Sequence, residues 1–184
     1  LYALRDGRVS STLTIVSADL ETKSVVICQN GGPPVFVLNE GAAMVLPATA
    51  PSIGVHRNMK PNICEFPMEK GLAVLGMTDG IYTAGRRSAD EWRDEELMEL
   101  LNSSADNPEM LVTHLLDESV RKDGGRPADD MAAFILYLDS YDHETRIRRM
   151  TGERIVSNST ARTPNATPAE NRPTSPAPIR PEPV

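Results

Sequence analysis

Two stretches of this chain decide its fold: residues 72–80, LAVLGMTDG, and residues 128–138, ADDMAAFILYL. In each, a strongly apolar run adjoins an acidic turn, which is Asp79-Gly80 in the first stretch and Asp129-Asp130 in the second. Short apolar runs bounded by turn residues are typical of buried strands. A carboxylate at the end of such a strand is held by the sheet while its oxygens stay at the surface. Two of these turns can meet at one sheet edge, where carboxylate oxygens suit a hard divalent cation.

Each acidic turn also has a simpler interpretation. Asp79-Gly80 is a common turn pair, and one of Asp129 and Asp130 can cap a turn before the last strand. Two features favour a ligand instead: Gly80 allows a close approach of the backbone, and adjacent carboxylates repel unless a cation or solvent separates them. The residues alone leave this choice open, as they do the choice between Asp129 and Asp130.

Short extended segments fill the first half of the chain. Apolar and β-branched residues bounded by turn residues predict strands at residues 10–18, 24–28, 35–38, 42–46, 62–68, 71–77 and 131–138. The short connections predict a mostly antiparallel arrangement, with 62–68 paired to 71–77. The segment Asn30-Gly31-Gly32-Pro33-Pro34 interrupts this pattern, because proline cannot donate to a strand ladder.

Two helices are predicted between the last two strands. Ser88 and Glu91 have the spacing of a capping box, which predicts a helix start at Ser88 with Trp92 in its first turn. Asn107-Pro108 predicts a second start, and Gly124-Gly125 predicts its end. Strands, two helices and a final strand together predict the α+β class, with helices covering a mostly antiparallel sheet.

Charge and cysteine content narrow the function classes. The net charge is −7, and residues 1–140 hold 21 acidic against 12 basic side chains, which argues against a nucleic-acid partner. No apolar run reaches the ~20 residues that span a bilayer, so we expect the visible portion to be soluble. Cys28 and Cys64 are expected to be free thiols in strand interiors, which is compatible with a reducing cytoplasm.

The composition changes near Tyr141. Residues 141–184 are rich in proline and poor in apolar side chains, which predicts a disordered tail after a domain at residues 1–140. The chain begins with Leu1 rather than methionine, and we expect it to be part of a longer protein.

Three motifs follow one another along the chain, and their order is informative: Asn30-Gly31-Gly32-Pro33-Pro34, then Thr78-Asp79-Gly80-Ile81, then Asp129-Asp130-Met131. This series resembles the metal-dependent (PPM-type) serine/threonine protein phosphatases, in the bacterial branch typified by the stage II sporulation phosphatase (SpoIIE-like). The resemblance covers residues 1–140. It implies a sandwich of two antiparallel sheets flanked by helices (αββα), here incomplete because the N-terminal part of the domain is missing.

The resemblance also implies a chemistry. Asp79 and Asp129 match aspartates that hold a pair of Mg²⁺ or Mn²⁺ ions, and Asp130 would support this site or replace Asp129. The ions would activate water to attack phosphoserine or phosphothreonine in a bacterial regulatory phosphoprotein. In relatives a further metal-binding Asp-Gly turn lies upstream, before the segment matching residues 1–18. An acidic residue often stands where this chain has Thr83, and histidine where it has Gly32.

Two other functions remain in competition with this one. A non-catalytic relative would use the same fold to bind a signalling partner, and an upstream Asp-Gly turn would distinguish the enzyme from it. An unrelated α+β interaction domain would require both acidic turns to be coincidental. The oligomeric state is left open.

Overall fold

Two central strands account for the long apolar runs of the sequence. Val35–Asn39 (β3) and Ala73–Met77 (β6) pair antiparallel, with Phe36 opposite Leu75. In both strands every side chain except the last is buried. Because successive side chains of a strand point to opposite faces, a strand covered on both faces needs apolar residues throughout. The computed structural model describes residues 7–139, and β3 and β6 lie at the middle of the described part.

The other strands complete two antiparallel sheets. They are Leu13–Asp19 (β1), Ser24–Asn30 (β2), Ala42–Leu46 (β4), Asn62–Pro67 (β5) and Ala133–Tyr137 (β7). One sheet has the order β1-β2-β5 and the other has the order β4-β3-β6-β7. Between β6 and β7 the chain forms three helices, Asp79–Tyr82 (α1), Asp94–Ser104 (α2) and Pro108–Lys122 (α3).

Two apolar layers hold these elements together. Val25 and Ile27 of the three-stranded sheet pack with Val37 and Val74 of the four-stranded sheet in one buried cluster. On its other face the four-stranded sheet packs against the helices, in a second cluster that includes Phe36, Leu75, Leu97, Leu101 and Leu115. Each such fully buried side chain contributes roughly 1.5–3 kcal/mol. The order of layers is therefore sheet, sheet, helices, which confirms the predicted α+β class and the incomplete αββα sandwich.

One predicted pairing is wrong. Strand β5 does not pair with β6; it pairs with β2 in the other sheet, with Cys64 opposite Ile27. The two strands also differ in pattern, since side chains alternate between half-buried and exposed along β5 but are nearly all buried in β6. The segment between them passes from one sheet to the other. Met68 N donates to Lys23 O at 2.8 Å, and Gly71 N donates to Leu138 O at 2.7 Å.

The two helix starts have different outcomes. Asn107 caps α3 as predicted, because its side chain accepts from Met110 N at 3.3 Å and proline follows it. The start at Ser88 is wrong: helix α2 begins at Asp94, and its capping pair is Arg93 and Glu96. The Ser88 hydroxyl instead donates to Gly85 O at 3.0 Å and to Lys122 O at 3.1 Å, so it belongs to a loop that packs on α3.

The cysteines are free, as predicted, and both are half-buried. Cys28 lies opposite Ile63 on the neighbouring strand, whereas Cys64 lies opposite Ile27. Opposed residues of paired strands share a face and successive residues alternate, so the two thiols lie on opposite faces of the sheet. A disulfide between them is geometrically excluded.

Within residues 7–139, none of the helices combines the length and apolar character needed to cross a bilayer. The predicted disordered tail at 141–184 lies outside the described residues.

Candidate metal centre

The first acidic turn is a junction between strand and helix. Strand β6 ends at Met77, Thr78 is still extended, and Asp79 is the first residue of α1. The Asp79 side chain is exposed, and its Oδ1 accepts from Gly80 N at 3.1 Å. This junction holds the backbone of Asp79 in the fold while leaving its carboxylate at the surface, as the sequence predicts.

The second acidic turn leads into β7. Asp129 and Asp130 are both exposed, and Asp129 Oδ1 accepts from Asp130 N at 2.8 Å. Met131 follows and is buried against the helices. The carboxylates are therefore presented by a turn whose next residue is anchored in the core.

Thr78 joins the two acidic turns. Its backbone N–H donates to Ala132 O at 2.8 Å. Its hydroxyl donates to Asp130 O at 2.9 Å and accepts from Ala132 N at 2.9 Å. Strands β6 and β7 are neighbours in the sheet, so these bonds continue their pairing past the strand ends and fix the turns side by side.

Gly80 allows the turns to touch. A Cβ at this position would overlap the carbonyl oxygen of Asp130 and lie 2.9 Å from Asp130 C and 3.2 Å from Asp129 C. These atoms belong to backbone, which cannot rotate away as a side chain can. The close approach of the two turns therefore depends on residue 80 having no side chain.

The structure thus brings together the backbones that carry Asp79, Asp129 and Asp130. Within residues 7–139, however, it shows no group of three or more His, Cys, Asp or Glu side chains arranged to hold a metal ion. The donors suit Mg²⁺ or Mn²⁺ in chemical type, because hard cations prefer carboxylate oxygens. Coordination of these ions requires more ligands than the two turns present.

Thr83 stands where the resemblance predicts an acidic residue, and its hydroxyl bonds to the backbone. Thr83 Oγ1 donates to Asp79 O at 2.7 Å, and its backbone N–H donates to the same oxygen at 2.8 Å. The side chain therefore closes the short helix α1 rather than adding a charged donor.

The Asn30-Gly31-Gly32-Pro33-Pro34 segment is a tight corner, as predicted. Gly31 and Gly32 have φ of 63° and 87°, values that favour glycine. Gly31 N donates to Ala50 O at 2.9 Å, and the Asn30 side chain donates to Pro51 O at 3.2 Å. The corner thereby ties strand β2 to the irregular connection after β4.

A residue that the sequence did not single out lies between the acidic turns and α3. Asp123 follows the last residue of α3, and its side chain accepts hydrogen bonds from two backbone groups. Gly85 N donates to Asp123 Oδ1 at 2.9 Å, and Ala128 N donates to Asp123 Oδ2 at 2.8 Å. Its negative charge is the feature of the sequence that could have identified it, because a carboxylate at a helix C-terminus opposes the helix dipole and therefore needs another explanation.

The end of α3 is itself firmly held. The Lys122 side chain is only 5% exposed, and its ammonium donates to the backbone and side-chain oxygens of Asp90 at 3.1 and 3.2 Å. The same nitrogen lies 4.7 Å from the centre of the Trp92 ring, within cation–π range. Trp92 Nε1 in turn donates to Ser119 Oγ at 2.9 Å.

Tyr82 connects α1 to the start of α2. Its hydroxyl donates to Asp94 Oδ1 at 3.0 Å. Burial raises the pKa of Tyr82 above its ordinary value, and the hydrogen bond to Asp94 raises it further. The phenol therefore stays protonated and acts here as a hydrogen-bond donor.

Comparison with known protein families assigns the sequence that forms this site to one of them. The family model described as Stage II sporulation protein E (SpoIIE) matches residues 1–139. The chain belongs to the SpoIIE family. This confirms the resemblance to PPM-type protein phosphatases, of which the chain contains a part.

Curated relatives of this SpoIIE-family chain are distant and much longer. It is 25% identical over 134 residues to Protein IcfG of Synechocystis sp., covering 72% of this chain and 21% of the relative. It is 23% identical over 133 residues to Stage II sporulation protein E of Bacillus subtilis, covering 71% of this chain and 16% of the relative.

Solved structures agree on the fold. The phosphatase domain of SpoIIE from Bacillus subtilis, presoaked with Mn, matches with a TM-score of 0.58 and 20% identity, covering 72% of this chain and 58% of that one. The catalytic domain of the serine/threonine protein phosphatase PstP, in complex with two manganese ions, matches with a TM-score of 0.52 and 14% identity, covering 73% and 61%. The chain spans less than two thirds of each domain.

Proposed function

We propose that the protein carrying this chain hydrolyses phosphoserine or phosphothreonine in a bacterial regulatory protein in the cytoplasm, using Mg²⁺ or Mn²⁺. Asp79 and Asp129 hold the ions, with Asp130 as an alternative to Asp129. One observation carries this proposal: two exposed acidic turns abut at the ends of adjacent strands, in a chain of a protein phosphatase family.

Each residue has a distinct part in this proposal. The carboxylates of Asp79 and Asp129 supply negative oxygen ligands at the surface, where a phosphoprotein can reach them. Thr78 and Gly80 hold the two turns in register. When bound, the metal ions lower the pKa of water and neutralise charge on the phosphoryl oxygens. The remaining ligands come from outside residues 7–139, and we expect an upstream Asp-Gly turn among them.

The activity is expected to depend completely on a divalent cation. Chelation of the full-length protein with EDTA should lower hydrolysis of a phosphoserine peptide by at least about 100-fold, because the carboxylates alone do not activate water. Adding Mn²⁺ or Mg²⁺ back should restore the rate. Phosphate release, followed across a titration of each metal, measures this directly.

The outcome that contradicts the proposal is hydrolysis that survives chelation. The control is the Asp79→Asn variant purified in the same way, because a contaminating metal-independent phosphatase would be equally active in that preparation.

A non-catalytic signalling module is the second candidate. Two observations favour it: among residues 7–139 no three His, Cys, Asp or Glu side chains are arranged to hold a metal ion, and Thr83 adds no charge. The upstream sequence separates the two candidates. An Asp-Gly turn some tens of residues before Leu1 supports the enzyme, and its absence supports the binding module.

A further inference from the structure

Asp123 is hydrogen-bonded to two segments that flank the acidic turns. Its Oδ1 accepts from Gly85 N, in the loop that follows α1, which begins with Asp79. Its Oδ2 accepts from Ala128 N, in the residue directly before Asp129. One carboxylate therefore links the segment after the first turn to the segment before the second.

This link is independent of the contact made by Thr78. Thr78 joins the turns where they leave the sheet, whereas Asp123 joins them on the side of α3. The β6–β7 pairing and Thr78 hold the turns together at the sheet. The hydrogen bonds to Asp123 add a second attachment on the side of α3, which restricts the relative orientation of the turns further.

The residues around Asp123 are held by several contacts. It follows Lys122, whose side chain is buried beneath Trp92 and bonded to Asp90. Gly85 has a φ of 83°, and a Cβ there would overlap the Asp90 carbonyl group, so its N–H is presented by a conformation that favours glycine.

Helix capping does not explain the presence of an aspartate at this position. A negative charge at the C-terminus of a helix is unfavourable, by about 0.3–1 kcal/mol, because the last carbonyl groups carry partial negative charge. The two N–H donors offset this, since hydrogen bonds to a carboxylate are stronger than those between neutral groups. Only a side chain with two acceptor oxygens satisfies both donors.

We propose that Asp123 is a positioning residue for the metal site, which fixes the relative orientation of the Asp79 and Asp129 carboxylates. This inference rests on the proposed function, because it assigns Asp123 to the site formed by those two residues. Asp123 is not proposed as a metal ligand; it acts through its hydrogen bonds from Gly85 N and Ala128 N.

The test uses the full-length protein and its Asp123→Ala and Asp123→Asn variants. Mn²⁺ affinity is measured by the electron paramagnetic resonance signal of the free ion. Loss of a residue that orients metal ligands typically costs 10–100-fold in affinity, so we expect about that reduction for alanine. Asparagine retains the shape and one acceptor oxygen, and is expected to cause a smaller reduction.

Amide hydrogen exchange without metal supplies a second readout. In Asp123→Ala, exchange should accelerate at the amides of both Gly85 and the Asp129–Asp130 turn. The matched control is Asp117→Asn, an exposed acidic residue on the same helix, which should leave both readouts unchanged. If Asp123→Ala does not fold, the asparagine variant provides the comparison.

The results separate the two proposals. Wild-type Mn²⁺ binding that persists undiminished in Asp123→Ala, or faster exchange confined to the end of α3, overturns the positioning role alone. A wild-type protein that binds no Mn²⁺ overturns the proposed function, and the positioning role with it.

Discussion

Replacing Asp79 with asparagine is expected to lower phosphoserine hydrolysis by the full-length protein by at least about 100-fold, because a neutral amide is a poor ligand for a hard cation. The fold should be retained. Asp79 is exposed, and an amide oxygen can still accept the hydrogen bond from Gly80 N. We expect the free energy of unfolding to change by no more than about 0.5 kcal/mol, as for other surface substitutions. Phosphate release and thermal unfolding of the same preparation measure both quantities.

Further variants identify the ligand in the second turn and control for the loss of charge. Asp129→Asn and Asp130→Asn are compared at equal Mn²⁺ concentration, and the larger loss of activity identifies the ligand of the second turn. Glu99→Gln is the control for charge, because Glu99 is an exposed acidic residue on α2. Turnover by Asp79→Asn equal to that of the wild type would falsify the assignment of this residue.

The second large effect is expected from Gly80→Ala. In a helix, alanine is normally more favourable than glycine by about 1 kcal/mol, so local propensity alone predicts stabilisation. The structure predicts the opposite sign, because the new Cβ would overlap the backbone of Asp130. We expect a loss of about 1–3 kcal/mol in the free energy of unfolding, typical of overpacking, together with a large loss of activity as the turns separate. Denaturant unfolding and phosphate release check these two expectations.

Gly76→Ala is the matched control. Gly76 lies on β6, and the atoms nearest to a Cβ there belong to the side chain of Phe134, which is 41% exposed, rather than to backbone. Neither glycine has a positive φ, so the two substitutions differ mainly in what the methyl group meets. If Gly80→Ala is as stable and as active as the wild type, the contact between the turns has no functional role.

Local sequence patterns predict the structure correctly wherever it is determined by interactions between residues close in sequence. Strand Ala42–Leu46 has the predicted bounds, and Asn107 caps α3 through a residue three positions away. The exposed positions of Asp79 and Asp129 also follow from short-range features, since each lies just beyond the end of an apolar strand.

The failed predictions involve contacts between distant residues. Ser88 and Glu91 have the spacing of a capping box, but Ala89 between them has a φ of 56° and the Ser88 hydroxyl bonds to Lys122 O, 34 residues away. Proximity in sequence predicts that β5 pairs with β6, whereas its alternation of half-buried and exposed side chains suits the three-stranded sheet.

Asp123 was missed for a related reason. Its bond to Gly85 spans 38 residues, and the residues around it in sequence indicate only the end of a helix. The candidate site could be predicted in part, because the sequence indicates which carboxylates face solvent. Their positions relative to each other depend on contacts of Thr78, Gly80 and Asp123 with residues far away in sequence.

Anomalous diffraction at the manganese edge tests the account most directly, using crystals of the full-length protein grown with Mn²⁺. The account predicts a manganese peak within coordination distance of a carboxylate oxygen of Asp79 and of one of Asp129 or Asp130. A manganese peak bound elsewhere, with the Asp79 and Asp129 carboxylates both free of metal, would contradict it.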